Sequence, residues 1–511
     1  MKDVAGLPLF AAIRACNRDP ARPFLETPEG RRMSYGDLFS ATGRFANTLR
    51  DLGVKKGDRV AVQAQKSPEV VILLLACARI GAIFLPLNTA YTVAELDYFL
   101  GDAEPSLLVC DSAAREALAP VATRHGVSAI ETLDAGGTGS LSDRAARFEA
   151  DFNDADLGPD DLAAILYTSG TTGRSKGAML SHANLVTNAQ TLVDYWRFTG
   201  DDVLLHALPT FHTHGLFVAT NTLLLASGSM IFMEKFDADA IMAHMPRATT
   251  MMGVPTFYTR LLQHPGLTRE ASAHMRLFVS GSAPLLAETH RAFEAKTGHA
   301  ILERYGMTET NMNTSNPYDG DRIPGTVGFP LPGVELRILE PETGAPCAVE
   351  EIGIIEVRRP NVFKGYWRNP GKTAEELRAD GFFITGDLGK IDDRGYVHIV
   401  GRGKDLIITG GYNVYPKEIE TEIDALDGVV ESAVFGVAHP DFGEAVTAAV
   451  VLHEGATLDE ASITGALANK LARFKQPKHV AVVKELPRNT MGKVQKNILR
   501  ETYADLYQQA R

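Results

Sequence analysis

Residues 167–177, Tyr-Thr-Ser-Gly-Thr-Thr-Gly-Arg-Ser-Lys-Gly, concentrate glycines, hydroxyls and a lysine within a short span. That mixture suits a loop wrapping a polyphosphate. Gly170 and Gly173 let backbone N–H groups approach the oxygens, Thr168, Ser169, Thr171 and Thr172 add hydroxyl donors, and Lys176 adds charge. The loop is not of the Walker type, because the fifth residue after Gly170 is Ser175, where that pattern needs its second glycine. A second group of reactive types is His206, His212 and His214. No HExxH spacing or neighbouring cysteine accompanies them, which argues against zinc.

The phosphate-loop segment resembles the signature of the adenylate-forming superfamily of acyl-CoA synthetases, luciferases and peptide-synthetase adenylation domains. Further segments resemble motifs of that superfamily in its order: PTFHTHG (209–215), SGSAP (280–284), YGMTET (305–310), TGD (385–387), GRGKDLIITGG (401–411) and PRNTMGK (487–493). Together they span most of the chain. The resemblance implies two half-reactions. A carboxylate first attacks the α-phosphorus of ATP and expels pyrophosphate, and the thiol of coenzyme A then takes the acyl group and expels AMP.

It also implies roles for particular residues. Lys493 bridges the carboxylate and the α-phosphate, supplying charge to a pentacoordinate phosphorus. Glu309 holds Mg²⁺ against the phosphates, with Thr168 and Thr308 adding phosphate or metal contacts. Asp387 takes the ribose hydroxyls, assisted by Arg402. Adenine lies between the Gly281–Pro284 turn, with Ser282, Ala283 and Pro284, and the ring of Tyr305; Glu303, Arg304, Gly306 and Met307 belong to the same nucleotide-binding segment. His212 and Ser280 border the acyl pocket with Gly281. Lys404 marks a hinge, and Gly410 and Gly411 line the pantetheine tunnel of coenzyme A.

The stretches FHTHGLFVATN and ERYGMTETNMNTSNPYDGDRIPGTVGFPLPG are similar to those of malonyl-CoA synthetases. Arg276, just before the apolar strand LFVSGSAP, is expected to point into the acyl pocket and bind the distal carboxylate of malonate, because a guanidinium matches a carboxylate bidentately. The expected reaction is malonate, ATP and CoA to malonyl-CoA, AMP and diphosphate. The alternatives are methylmalonate or another short acid, or a stand-alone adenylation enzyme loading a separate carrier protein. Lys493, in its Gly-Lys-Val setting, is also a candidate for an acetyltransferase and a deacetylase, since acetylation removes the charge adenylation needs.

These residues require a scaffold. Residues 58–110 alternate apolar strands with helical stretches, a rhythm that predicts a parallel sheet covered by helices. The run Val70–Leu87 reads as a core helix followed by a strand. A second α/β series extends from LAAILYT to about Leu302, with a helix starting near Ser181 whose apolar face carries Leu185, Val186, Ala189, Leu192, Val193 and Trp196. Short strands after 325 suggest a small β-barrel. The expected fold is thus an α/β N-terminal domain over 1–402, with two parallel-type sheets and a barrel, and a mobile α+β C-terminal domain over 403–511.

A formal charge of −12 argues against a nucleic-acid surface, which needs concentrated Lys and Arg. Four scattered cysteines with no CxxC pair predict a reducing compartment. The first residues make a poor signal peptide and no apolar run suits a membrane span, so a cytoplasmic monomer or homodimer with small-molecule substrates is expected.

Overall fold

The computed structural model describes residues 3–168, 175–409, 412–468, 470–489 and 492–507. The chain forms two compact units, Met1–Leu336 with Val357–Phe383 and Arg337–Glu356 with Ile384–Arg511.

The first unit contains two large sheets. In the six-stranded sheet the order is Ala129–Thr132, Leu107–Cys110, Arg59–Gln63, Ile83–Pro86, Leu162–Thr168, Lys176–Ser181. All neighbours are parallel except the last pair, an antiparallel hairpin. Strands buried on both faces read as unbroken apolar runs, and Leu107–Cys110 and Ile83–Pro86 are buried at every position. The helix Pro68–Ile80 is buried along its whole length and ends at Gly81 in the left-handed conformation. The predicted run of helix then strand is therefore present. The helix His182–Tyr195 starts at Ser181 through a capping box with Asn184 and buries Leu185, Val186, Ala189, Leu192 and Val193.

The nine-stranded sheet runs Phe329–Pro330, Asn311–Ser315, Leu302–Met307, Leu277–Ser280, Thr250–Gly253, Val203–His206, Ser229–Phe232, Pro23–Glu26, Arg32–Ser34. Its centre is parallel and its edges antiparallel. Met251, Tyr258, Phe278, Phe293 and Ile301 form part of the core against it. The strand ends at 206 and 280 lead into the segments that carry His212 and Gly281, and the end at 307 leads to Thr308 and Glu309, the usual place for a site in an open parallel sheet.

The second unit holds most of a four-stranded sheet, ordered Glu335–Leu339, Gly353–Arg358, Phe383–Ile391, Val397–Arg402. It is an open sheet with two edge strands where the sequence suggested a small barrel; four short strands do not close on themselves. A five-stranded sheet follows, in which Val429–His439 and Gly443–Leu452 form a long antiparallel ribbon and His479–Val483 adds in parallel. The helix Pro416–Asp424, with Pro416 in its first turn, packs beside the strand Val397–Arg402. That packing and the pairing of Asp387 with Arg402 make the unit larger than the domain expected over 403–511. Among the described residues no helix is long and apolar enough to cross a membrane.

Candidate active site

The phosphate loop hangs from a hairpin in which Thr168 pairs with Lys176. Ser169, Gly170, Thr171, Thr172 and Gly173 lie outside the described residues. The stem is fixed on both sides: the Tyr98 hydroxyl donates to the Ser175 carbonyl at 2.6 Å, and the Trp367 N–H donates to the Gly177 carbonyl at 2.7 Å. A Cβ on Gly177 would stand 2.9 Å from Ile165 and 3.3 Å from Trp367, so close packing requires glycine there. The ammonium of Lys176 lies 3.2 Å from Glu376 Oε1 and 4.3 Å from the centre of the Tyr366 ring.

Glu309 is 5% exposed and its Oε1 accepts from the Tyr366 hydroxyl at 3.0 Å. Its carbonyl accepts from Phe363 N–H at 2.8 Å, which ties the YGMTET turn to the 360s. The turn follows a bulge at Tyr305 and Gly306, and Asn311 takes a left-handed φ of 53° after it. A Cβ on Gly306 would meet the Asn311 carbonyl at 1.8 Å. Thr308 and Tyr305 are half-buried beside it. Among the described residues no three His, Cys, Asp or Glu side chains gather as metal ligands. One carboxylate fits Mg²⁺, which takes one or two carboxylates and completes its shell with phosphate oxygens and water.

The strand Leu302–Met307 sends successive side chains to opposite faces. Glu303, expected in the nucleotide site, is instead buried with its Oε1 bonded to His290 Nδ1 at 2.9 Å and to the Gly325 N–H at 3.1 Å. Its carboxylate is structural. Arg304, expected in the same site, is 4% exposed, and its Nε and Nη2 have no hydrogen-bond partner among the described residues. Burial holds its pKa down to about 9, with the charge of Tyr258 acting weakly the other way. Its guanidinium lies against Gly281, where a Cβ would stand 2.3 Å from Arg304 Cζ.

Around Arg304 the sequence motifs converge. Ser282, at a left-handed φ of 72°, sets its hydroxyl 3.1 Å from His214 Nδ1. His214 is buried and Nε2 has no partner among the described residues. Burial, then the positive charge of Arg304, pushes its pKa well below the usual imidazole range, so it is neutral. It opens a π-helical segment, His214–Ala219, a departure from α-geometry frequent at functional sites. His212 is half-buried and its Nδ1 accepts the His214 N–H at 3.2 Å. The Ser280 hydroxyl is buried without a partner among the described residues, Ala283 is half-buried and Pro284 exposed.

Arg276 departs from expectation. Its Nε and Nη2 grip Asp202 at 2.7 and 2.8 Å, and its Nη1 donates to the Trp196 carbonyl at 3.0 Å. The guanidinium also sits over the rings of Phe198 and Tyr318. This residue is at the start of its strand, while Ser280 and Gly281 are at the other end. With its fork taken by Asp202, Arg276 is a structural ion pair and does not serve a substrate carboxylate.

In the second unit Arg402 Nε lies 3.0 Å from Asp387 Oδ1, across the ladder between Phe383–Ile391 and Val397–Arg402. Within the strand Phe383–Ile391 the Asp387 N–H donates to Thr385 Oγ1 at 3.1 Å. The Lys493 N–H donates to Asn489 Oδ1 at 2.9 Å, and Gly492 before it takes a φ of 73°. Burial and the charges of Arg402 and Lys404 lower its pKa to about 8, against the opposing pull of Asp387 and Asp405. Lys404 is also lowered, by burial first and then by the charges of Arg402 and Arg500, against Asp405 and Asp387. Gly410 and Gly411 lie outside the described residues.

Two family models match the chain: AMP-binding enzyme over residues 13–367, and AMP-binding enzyme C-terminal domain over 418–493. A feruloyl-CoA synthase of Amycolatopsis sp is 35% identical over 479 residues, covering 93% of this chain and 94% of that protein. A malonate–CoA ligase of Arabidopsis thaliana is 35% identical over 523 residues, covering 93% and 85%. The crystal structure of ATP-bound MatB from Rhodopseudomonas palustris superposes with a TM-score of 0.96 at 64% identity, covering 98% of this chain and 99% of that one.

Proposed function

The chain belongs to the AMP-binding enzyme family, and we propose that it is an ATP-dependent malonate–CoA ligase. One observation carries the choice of acid: a fully buried guanidinium, Arg304, with two unpartnered nitrogens among the described residues, beside a glycine and a neutral histidine. Burying a cation unpaired costs several kcal/mol, about 3 or more. A ligand carboxylate in a bidentate approach would offset that cost. The acid to be activated spends one carboxylate on the reaction, so a cation fixed elsewhere in the acyl site selects a second one. Malonate has both. The malonate–CoA ligases among the relatives support the same reading.

In this scheme an oxygen of one malonate carboxylate attacks the α-phosphorus and the bond to the β,γ-diphosphate breaks. The thiolate of CoA then attacks the acyl carbon, forming the thioester and releasing AMP. Lys176 neutralises phosphate charge while Thr168 donates a hydroxyl hydrogen bond, and Glu309 would hold Mg²⁺. Asp387, with Arg402 beside it, receives the ribose. Lys493 places its ammonium on the α-phosphate, and Lys404 remains the hinge candidate. His212 and Ser280 border the acid. Magnesium, when bound, screens the charge of the phosphates.

The reading is tested with ATP, Mg²⁺, CoA and one acid at a time, following AMP and acyl-CoA. Malonate is expected to lead methylmalonate, succinate, acetate and octanoate. Acetate or octanoate in the lead overturns the dicarboxylate site, and AMP formation only with a carrier protein overturns the CoA step.

Lys493 also carries the proposal of control by acetylation, because an amide there has no charge to give the α-phosphate. Mass spectrometry with half-reaction assays before and after deacetylation decides it; normal adenylation by the acetylated protein sinks it.

A further inference from the structure

Lys176 is not a free cation waiting for phosphate. Its ammonium lies 3.2 and 3.5 Å from the two oxygens of Glu376, a residue outside every motif considered above. Glu376 also takes Lys372 at 3.0 Å and accepts from the Tyr366 hydroxyl at 2.6 Å. The same hydroxyl stands 3.0 Å from Glu309. A tyrosine has one hydroxyl hydrogen, so at any moment it satisfies one of these two carboxylates. Burial alone would raise the pKa of Glu376, but the bonds from Tyr366 and Lys372 and the charge of Lys176 hold it below the usual range, so it is ionised.

A polyphosphate that takes Lys176 must displace or outcompete the Glu376 carboxylate. Glu376 then has one cation fewer, and its claim on the Tyr366 hydrogen increases. Glu309 loses that bond, and the oxygen that accepted it turns to a cation. The four side chains thus connect the phosphate-binding lysine to the cation-binding glutamate through bonds already present on the strand–turn and helix Pro370–Glu376.

We propose that Glu376 is a positioning residue for nucleotide loading, an internal counter-ion that competes with phosphate for Lys176 and passes the exchange to Glu309 through Tyr366. The proposal rests on the reading that Lys176 binds phosphate.

The test is calorimetric titration of the full chain with ATP, without Mg²⁺ and then with it. Glu376→Gln removes the competing charge but still accepts from Tyr366; it is expected to tighten Mg²⁺-free ATP binding about five-fold, the scale of a partly exposed ion pair. Glu376→Asp, which keeps the charge, is expected to stay near the parent. Lys372→Met leaves Glu376 with Lys176 as its cation and is expected to weaken Mg²⁺-free ATP binding about two-fold. Tyr366→Phe is expected to reduce the difference between the two titrations, because the connection to Glu309 is cut. Unchanged or weakened binding in Glu376→Gln overturns the proposal, and if that variant does not fold, unchanged or tighter binding in Lys372→Met does so. Lys176→Met separates the failures: if it binds ATP like the parent, the phosphate role of Lys176 is wrong, whereas weakened binding with a neutral Glu376→Gln leaves that role standing and removes only the counter-ion.

Discussion

Gly281 leaves the space that the Arg304 guanidinium occupies: a Cβ at that position would stand 2.3 Å from Cζ and 2.5 Å from both Nε and Nη1. Gly281→Ala must therefore move the guanidinium. The expected outcome is a raised KM for malonate with a smaller change for acetate, read from steady-state kinetics on both acids.

Arg304→Met tests the cation itself. Losing a desolvated carboxylate–guanidinium pair costs on the order of 3 kcal/mol, so kcat/KM for malonate is expected to fall about 100-fold or more. Activity with acetate is expected to hold, because acetate has no second carboxylate. Equal losses for both acids would remove Arg304 from the selection of the substrate.

Arg276→Ala is expected to act on stability instead. It strands Asp202, whose side chain is 4% exposed, and breaking a buried pair of this kind costs about 3 kcal/mol. Urea unfolding should show the loss, the ratio of malonate to acetate activity should not change, and Asp202→Asn should give a similar destabilisation that is not additive with it.

Lys493 gives a pH dependence of definite sign. Its folded pKa is lowered, by burial first, to about 8, so the ammonium is present below that pH and lost above it. Adenylation, read as diphosphate release, is expected to fall as pH rises through about 8. Lys493→Ala should cut adenylation on the order of 100- to 1,000-fold. Thioester formation from added malonyl-adenylate should persist.

Glu309→Gln keeps the bond from Tyr366 but removes the charge. The Mg²⁺ concentration for half-maximal adenylation is expected to rise about ten-fold or more, measured by titrating Mg²⁺ at fixed ATP. An unchanged requirement would assign the cation elsewhere.

The motifs were legible because backbone-dominated phosphate and ribose sites need particular residues in short runs, and GMTET and PRNTMGK are such runs. The helix and strand of Val70–Leu87 were legible from hydrophobicity alone. Arg276 was misread because its partner Asp202 lies 74 residues away, a distance no local pattern reports. Glu303 and Arg304 were grouped together as nucleotide contacts, although strand alternation was available to separate them. Glu376 and Tyr366 were invisible for the reason Asp202 was: their importance is a matter of what the fold brings to them. The open four-stranded sheet was mistaken for a barrel because closure depends on pairing between edges, which strand-like patterns do not encode.

The alternation of Glu303 and Arg304 makes the strand its own proofreader. Its register is pinned on one side by Val279 opposite Leu302 and Ser280 opposite Glu303. A slip of one position would send the carboxylate toward the acyl region and thrust a guanidinium at His290 in the apolar core. Such a chain would lose its anion selectivity and its fold in the same event.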